Sequence, residues 1–328
     1  MIPDVVIAGG GIIGCSIAWR LAQRGLKVTV VDSGRIGHEA SRAGAGMLAP
    51  GSEAGPESPW ARRMVDSLAM YPSFIEELKQ ESGLPIEFSI CGAYEYGRDE
   101  ADWQRLVARA EKQRALGIEA VIEESRVYFP NDGQVKPSHV VRALVEASGK
   151  VGVKFIEDTR VRSIEANGVT TDKGLLEAGA VVLAAGAWAG PLMPGVPRSF
   201  PVKGHLIGYR MPRGSVPHIE RRGHHYVLQR SCGFTIAGST SETVGFDRTI
   251  DLAQVAQLHE ETKRVIPGLP DDWESAWIGF RPAVDGEPRV ERWRDSNLWL
   301  AYGHFRNGIL LAPLTARMIA DGIALQSF

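Results

Sequence analysis

Residues 5–14 read Val5-Val6-Ile7-Ala8-Gly9-Gly10-Gly11-Ile12-Ile13-Gly14, an apolar run that leads into a glycine-rich turn. Short uninterrupted apolar runs are typical of strands buried on both faces of a parallel sheet. Residues 16–24 then carry apolar side chains at helical spacing, and a second apolar run, residues 27–31, ends at Asp32. This order of strand, glycine turn, helix, strand and acidic residue predicts a βαβ unit that binds a dinucleotide.

Each glycine of the G-x-G-x-x-G motif has a separate physical task. Gly9 permits the tight turn, Gly11 lets the backbone approach a pyrophosphate, and Gly14 lets the helix pack closely on the strand. The N-terminus of the helix, at Ile12 and Ile13, offers N–H groups to the phosphates, and the following Asp32 and Ser33 are placed to meet a ribose. The motif leaves FAD and NAD both open. No second such motif is present, so a bound flavin is expected to take its electrons from a small organic substrate.

Composition excludes several classes of protein. The 328 residues include 37 Lys+Arg and 39 Asp+Glu, a net charge of −2 that argues against a nucleic-acid partner. A hydrophobic content of 44% excludes a mainly disordered chain, and the length suggests about two domains. The cysteines Cys15, Cys91 and Cys232 show no metal or disulfide spacing, so neither a metal site nor a disulfide framework is expected. With no leader-like segment and no apolar run long enough to span a bilayer, we expect a cytoplasmic protein without membrane insertion.

Periodicity predicts alternating helices and strands along the rest of the chain. Helices are expected at 60–82 (broken or kinked at Pro72), 102–116, 137–148, 252–265 and 309–323. Strands are expected at 89–97, 153–156, 160–165, 181–184 and 298–302, with antiparallel strands at 205–210, 224–230 and 234–238. Strands near both ends of the chain look like members of one sheet, so two domains are expected to interleave in sequence.

Three further segments carry a resemblance to a known family. The stretch Gly303-His304-Phe305-Arg306-Asn307-Gly308-Ile309-Leu310-Leu311-Ala312-Pro313 resembles the flavin-side turn and helix of the glycine oxidases, in the D-amino-acid-oxidase superfamily. Residues 45–50 (AGMLAP) are similar to the loop beside the isoalloxazine ring, and residues 279–288 (GFRPAVDGEP) resemble that family's G-x-R-P…D-G-x-P run. The resemblance extends over essentially the whole chain.

The resemblance implies an α/β fold in which a Rossmann-like FAD-binding domain interleaves with an α+β substrate domain built on an antiparallel sheet. Residues 1–88, 134–204 and 275–328 are expected in the FAD-binding domain, and residues 89–133 and 205–274 in the substrate domain. It further implies a homo-oligomer such as a homotetramer. Non-covalent FAD is expected because a covalent flavin would need a cysteine near Arg281, and the nearest in sequence is Cys232.

The resemblance assigns the family's functional residues to individual positions of this sequence. Arg281 and Tyr226 match the side chains that hold the substrate carboxylate, and Arg306 matches an arginine near the substrate, so these three are the expected catalytic and substrate-binding residues. Ala49 and Ser241 are further candidates for the substrate pocket. The expected cofactor-binding residues are Gly9, Gly11, Ile12, Ile13, Gly14, Asp32, Ser33, Ser41, Arg42, Ala45, Gly46, Met47, Val161, Ala185, Gly186, Trp188, Arg281, His304, Arg306, Asn307, Gly308 and Ile309.

Some positions depart from the family's pattern. Ser241 or a neighbour in Gly238-Ser239-Thr240-Ser241 stands where glycine oxidases often carry Met. Residues 40–42 (Ala-Ser-Arg) stand where hydroxyl residues are commoner, and residues 289–291 (Arg-Val-Glu) where an apolar-Gly pair is usual. These departures bear on the substrate more than on the cofactor. Glycine, sarcosine, small D-amino acids and other secondary amines therefore stay open as substrates. His224, His225 and His304 are interpreted as structural histidines.

The expected reaction is oxidative deamination. A hydride passes from the α-carbon of the neutral amine to flavin N5, the imine hydrolyses, and O₂ takes the electrons to give H₂O₂, with a role in thiamine biosynthesis implied by the resemblance. The alternatives are a dehydrogenase of D-amino acids or sarcosine that passes electrons to a quinone, and a flavoprotein subunit of a larger complex. A plain NAD-dependent dehydrogenase would leave the C-terminal motif unexplained.

Overall fold

A computed structural model describes residues 2–55, 58–165 and 167–325. Its helices are α1 (Ile12–Ala22), α2 (Ala40–Ala43), α3 (Pro50–Glu53), α4 (Ala61–Ser82), α5 (Glu100–Arg114), α6 (Pro137–Lys150), α7 (Ala189–Leu192), α8 (Leu252–Lys263) and α9 (Gly308–Ala324). Its strands are β1 (Val5–Ala8), β2 (Val28–Val31), β3 (Met47–Leu48), β4 (Phe88–Ile90), β5 (Ala93–Tyr96), β6 (Val121–Ile122), β7 (Arg126–Phe129), β8 (Gly133–Val135), β9 (Lys154–Ile156), β10 (Val161–Glu165), β11 (Gly168–Thr171), β12 (Gly174–Glu177), β13 (Ala180–Leu183), β14 (Ser199–Arg210), β15 (Ile219–Arg222), β16 (His225–Gln229), β17 (Phe234–Gly238), β18 (Ser275–Val284), β19 (Arg289–Arg292) and β20 (Leu298–Tyr302).

The first βαβ unit lies at the centre of a six-stranded sheet with the order β19-β20-β13-β1-β2-β9. All of its neighbouring strands run parallel except β19, which lies antiparallel at one edge. Every residue of β1, β2 and β13 is buried, as expected for strands covered on both faces. Helices α1, α6, α9 and α4 pack together on one face. The predicted α/β class and the shared sheet at the two ends of the chain are confirmed.

A second sheet has eight strands in the order β18-β14-β17-β16-β15-β5-β7-β6. Its pairs are antiparallel except β15 with β5. Strand β14 runs unbroken from Ser199 to Arg210 and pairs with the whole of β18. The expected domain boundaries, between residues 204 and 205 and between residues 274 and 275, would therefore divide this sheet between two domains. We propose instead that residues 199–210 and 275–284 both belong to the substrate domain. Small three-stranded sheets, β10-β11-β12 and β3-β8-β4, complete the fold.

The single strand expected at 89–97 is wrong, because the chain turns at Gly92. Gly92 has φ +72°, and a Cβ there would lie 2.4 Å from the hydroxyl of Tyr128. Since L-residues rarely adopt this conformation, the turn separates β4, in a three-stranded sheet, from β5, in the eight-stranded sheet. The helix expected to break or kink at Pro72 is not broken there, since α4 runs continuously from Ala61 to Ser82.

Pro313 is the sixth residue of α9 and so lies in the first turns of the last helix, as we expect from the sequence. The expectation that its missing N–H has little effect there is wrong. At this depth the carbonyl of Ile309 lacks its usual i+4 donor. The buried Tyr71 hydroxyl donates a hydrogen bond to this carbonyl, and the Ser67 hydroxyl donates to the next one, that of Leu310, at 2.7 Å. Helix α4 thus supplies a donor to the carbonyl that the proline leaves without one, and a second donor to the neighbouring carbonyl.

Tyr71→Phe is expected to lower the free energy of unfolding by about 1–3 kcal/mol, the effect of leaving one buried acceptor unsatisfied. Urea titration monitored by circular dichroism measures this change. In a Pro313→Ala background the helix recovers its own donor to Ile309, and the same Tyr71→Phe change should then have much less effect. Equal losses in both backgrounds would contradict this account of the contact.

None of the described helices combines the length and the apolar character needed to cross a membrane.

Candidate active site

A cavity of about 670 Å³ lies between the two large sheets. The carboxyl ends of β1 and β2 contribute Gly9 and Asp32, and the eight-stranded sheet contributes Tyr226 and Arg281. Ligands of open α/β sheets bind at this edge of the parallel strands. The lining of the cavity includes both the glycine turn expected to hold a dinucleotide and the residues expected to hold a small substrate.

The glycine-rich turn after β1, residues 9–11, presents backbone atoms rather than side chains to the cavity, and we call it the cradle. Gly9 has φ +113°, and a Cβ there would lie 2.4 Å from the carbonyl oxygen of Ala184. A Cβ on Gly14 would lie 2.0 Å from the Gly9 carbonyl oxygen, so Gly14 holds α1 against the turn without lining the cavity. The N-terminus of α1 therefore faces the cavity with bare backbone, as a pyrophosphate requires. This cradle fits the phosphates of FAD.

Asp32 organises the same turn from the end of β2. Its Oδ2 accepts a hydrogen bond from the N–H of Gly10 at 2.7 Å, and its Oδ1 accepts from Gly34 at 2.9 Å. Burial raises the pKa of Asp32, while the two backbone donors act in the opposite direction. A carboxylate has about four acceptor positions, so capacity remains for a ribose hydroxyl. Sequence reasoning missed its neighbours Gly34 and Arg35, which line the cavity too.

Arg281, on β18, is held without a carboxylate partner. Its Nη2 donates to the hydroxyl of Ser239 at 2.5 Å, and its Nη1 lies 3.4 Å from the carbonyl oxygen of Lys203. Among residues 2–55, 58–165 and 167–325, no Asp or Glu oxygen lies within ion-pair distance of it. Burial lowers the pKa of Arg281, and the nearby Tyr226 partly offsets this change. A half-buried arginine without a counter-charge favours an anionic ligand.

Glycine backbone makes room for this arginine. A Cβ on Gly204 would lie 2.3 Å from Nη2 of Arg281, so the guanidinium lies directly over the bare strand β14. Tyr226, on β16, is 6% exposed and lines the same cavity. Burial raises the pKa of Tyr226, so its hydroxyl keeps its proton and can donate to a carboxylate. Sequence reasoning missed Gly204, which belongs to no recognisable motif, and included Ser239 only as a neighbour of the candidate Ser241.

Arg306 lines the cavity beside Arg281, and it is anchored by a residue that sequence reasoning missed. The Nε of Arg306 lies 3.3 Å from Oε2 of Glu53, and Glu53 also accepts a hydrogen bond from Nη1 of Arg221 at 2.5 Å. Burial alone raises the pKa of Glu53, but Arg221 and Arg306 outweigh it and lower that pKa. Glu53 is thus an ionised carboxylate that fixes Arg306. No motif marks Glu53 in the sequence.

Most of the expected site residues line this one cavity. They are Gly9, Gly11, Ile12, Ile13, Asp32, Ser33, Ser41, Ala45, Gly46, Met47, Val161, Ala185, Gly186, Trp188, Tyr226, Arg281, His304, Arg306, Gly308 and Ile309. Gly308 and Ile309 open α9, whose N-terminus therefore presents the positive end of its dipole to the cavity.

Four other expected residues lie away from the cavity lining. Arg42 is exposed and approaches the ring of His38, Ala49 is buried elsewhere, and Asn307 precedes α9. Ser241 is exposed and lies beyond the end of β17 at Gly238, next to Glu242, which forms an isolated bridge with Lys203 on β14. Ser239, two residues earlier, occupies the place beside Arg281 instead.

His304 has a structural role, although it is one of the residues that line the cavity. Its Nε2 lies 3.0 Å from the hydroxyl of Thr315, and its ring packs edge-on against Trp60. Burial lowers the pKa of His304 to about 4, so the ring is neutral near pH 7.

Comparisons with known proteins agree with this geometry. The family model DAO, described as FAD dependent oxidoreductase, matches residues 4–322. The chain is 33% identical to the glycine oxidase of Geobacillus kaustophilus, over 97% of this chain and 92% of that protein. It is 36% identical to the bifunctional protein ThiO/ThiG of Synechocystis sp., covering 98% of this chain but only 52% of that longer protein. The crystal structure of the Geobacillus kaustophilus glycine oxidase superposes with a TM-score of 0.93, at 30% identity, over 99% of this chain and 95% of that one.

Proposed function

Since this chain belongs to the DAO family of FAD-dependent oxidoreductases, we propose that it oxidises glycine or a similarly small amino acid to the corresponding imine. FAD is its cofactor, and amino-acid oxidation is its chemistry. The observation that carries the choice of substrate class is Arg281, a half-buried guanidinium without a carboxylate partner among the described residues. A substrate carboxylate supplies the missing charge.

The residues of the chain would hold FAD along the cavity. The cradle at Gly9 and Gly11 and the N-terminus of α1 fit the pyrophosphate, Asp32 fits a ribose hydroxyl, and the N-terminus of α9 fits the flavin end. When bound, FAD accepts a hydride equivalent from the α-carbon of the substrate and passes the electrons to O₂, giving H₂O₂.

The protein's part in the reaction is to orient the substrate and exclude water. Arg281 offers two parallel N–H donors to the carboxylate, and the protonated hydroxyl of Tyr226 offers a third donor. Two fixed contacts on one end of a small molecule restrict the direction of its α-carbon. The described lining has no general base in an obvious position, because the His304 ring is hydrogen-bonded to Thr315 and neutral. We therefore propose that the substrate reacts as its neutral amine.

Anaerobic spectroscopy tests this proposal. The purified holoenzyme is expected to show flavin absorbance that bleaches when glycine is added and recovers when air is admitted, with H₂O₂ formed in equal amount. Bleaching that recovers only with a quinone would instead favour a dehydrogenase. Flavin that stays oxidised with glycine, sarcosine, D-alanine and D-proline would contradict the proposed activity.

Similarity to ThiO/ThiG and to glycine oxidases supports three further proposals. We propose that the imine product enters thiamine thiazole synthesis, that the enzyme works in the cytoplasm, and that it forms a homo-oligomer. Light scattering on the purified protein tests the last of these, and a single monomer peak would contradict it.

A further inference from the structure

Arg230 is a buried arginine that the proposed reaction does not use. It directly follows strand β16 and is 4% exposed. Its Nη1 donates to Oε1 of Gln134 at 2.9 Å, and its Nη2 donates to the carbonyl of Ala45. In the described part of the chain, no Asp or Glu oxygen lies within ion-pair distance of it. The guanidinium is therefore hydrogen-bonded to neutral groups, and its charge is not neutralised.

The side chain of Arg230 keeps its charge in spite of this burial. Burial lowers the pKa of Arg230 to about 10, while Glu87 and Tyr226 act in the opposite direction. The group is thus a cation at pH 7. A buried charge without a counter-ion is unfavourable, so its presence calls for a negative charge that the protein does not itself supply.

Arg230 lies behind the wall of the FAD cavity. Alternate residues of a strand project to the same face, so Arg230 continues the face of β16 that carries Tyr226. Tyr226 lines the cavity, and so does Ala45, whose carbonyl accepts the hydrogen bond from Arg230. Arg230 itself does not line the cavity. It can therefore act on a bound molecule through its charge and through Ala45, but it is not placed to contact the substrate.

The segment that Arg230 holds lies at the flavin end of the cavity. Ala45, Gly46 and Met47 all line the cavity. A Cβ on the preceding Gly44 would lie 2.9 Å from Cδ1 of Ile309, the second residue of α9. The segment is thus next to the N-terminus of α9, where the proposed function places the flavin. The positive end of the α9 dipole and the Arg230 cation lie at this same end.

Backbone contacts also fix this segment without Arg230. The N–H of Val135 donates to the carbonyl of Gly46 at 2.9 Å, and Met47 pairs with Gln134 between β3 and β8. Gly46 has φ +83°, and a Cβ there would lie 2.0 Å from the carbonyl oxygen of Val135. Because the ladder already holds the backbone, removal of Arg230 changes chiefly the charge beside the cavity.

We propose that Arg230 is a positioning residue for the flavin, which holds the Ala45 carbonyl and stabilises the negative charge of the reduced cofactor. Two-electron reduction of a flavin with uptake of one proton leaves a negative charge on its pyrimidine ring. A fixed cation in a poorly solvated site stabilises that charge and raises the midpoint potential. This inference rests on the proposed placement of the flavin, and it does not depend on the proposed substrate.

Sulfite titration of the holoenzyme tests the inference. Sulfite forms a bond from its sulfur to flavin N5, which bleaches the visible absorbance and leaves a negative charge on the ring. Arg230→Gln is expected to raise the dissociation constant of sulfite about tenfold. The midpoint potential, measured against redox dyes, should fall by about 30 mV, which corresponds to that tenfold change for a two-electron couple. An unchanged potential in the flavin-loaded variant would overturn the inference.

Two further variants separate charge from shape and from general damage. Arg230→Lys keeps the charge, so its dissociation constant for sulfite should stay within about threefold of the unaltered value. Arg210→Gln is the matched control, because it removes an exposed arginine of the same sheet that pairs with Glu274 and is screened by solvent. A change in Arg230→Lys as large as that in Arg230→Gln, or an equal change in Arg210→Gln, would overturn the inference.

Gln134→Glu tests the same charge without removing Arg230, and it decides the matter if Arg230→Gln does not retain its flavin. It puts a carboxylate oxygen where the amide oxygen now accepts from Nη1 at 2.9 Å. The ion pair would supply the missing counter-charge, so weaker sulfite binding and a lower potential are expected. Unaltered sulfite affinity in this variant would overturn the inference. Neither measurement uses an amine, so failure of glycine to reduce the flavin would contradict the proposed function alone.

Discussion

Gly9→Ala is expected to give a protein that does not retain FAD. Gly9 has φ +113°, a conformation that costs an L-residue about 1–3 kcal/mol. A Cβ would also lie 2.4 Å from the carbonyl oxygen of Ala184 and 2.8 Å from the Cα of Ala185. Both neighbours are backbone atoms at the end of β13, so neither can rotate away. Relief requires the turn to move, and the turn is the cradle for the pyrophosphate.

The ratio of flavin absorbance to protein absorbance after gel filtration measures this loss, with FAD added back before the second measurement. Gly34→Ala is the matched control. Gly34 lines the same cavity, but its φ is not in the left-handed region and a Cβ there would meet no atom within 4 Å. The control should retain its flavin. Retention by Gly9→Ala as well would show that the turn adapts and that the cradle is not rigid.

Arg281→Ala is expected to raise KM for glycine by about 10²–10³-fold, because truncating one partner of a buried charge pair costs about 2–5 kcal/mol. Acetate offers the same carboxylate, so its dissociation constant should rise by the same factor. This constant is measured from the change of the flavin spectrum on titration. Arg281→Lys should recover only part of the affinity, since an ammonium keeps the charge but lacks the two parallel donors.

Arg210→Ala provides the control for this series. Arg210 is an exposed residue of β14 that pairs with Glu274, away from the cavity. It removes the same kind of side chain from the same sheet, and its KM for glycine should stay within about twofold of the unaltered value. A similar KM for Arg281→Ala would contradict the role of Arg281 in holding the carboxylate.

The dinucleotide turn could be predicted from sequence because its determinants are local. Gly9, Gly11 and Asp32 act through backbone conformation and strand ends, and both follow from the order of residues along a short stretch. The same holds for the fold class, since continuous apolar runs indicate buried parallel strands. Gly92 shows where this reasoning is insufficient. The break it causes depends on contact with Tyr128, a residue 36 positions away, and no local pattern predicts it.

The surroundings of Arg281 could not be predicted in the same way. Ser239, Gly204 and Glu53 reach it or its neighbours through strand register and through a short helix in another segment. Register is set by the packing of whole sheets, so a single sequence does not reveal which residue of β17 faces the cavity. This is why the sequence favoured Ser241, which lies beyond the end of the strand, over Ser239.

The interleaved order of the six-stranded sheet has a consequence for synthesis of the protein on the ribosome. Strand β1 precedes β20 by almost 300 residues, yet β20 lies beside β13 near the middle of the sheet, and α9 packs against α1. A nascent chain that has reached residue 280 therefore carries β13 with an unpaired edge and α1 with an uncovered apolar face. Such a chain is exposed to aggregation and to chaperones until β20 and α9 have been made. The cavity is also incomplete until then, because Gly308 and Ile309 of α9 line it.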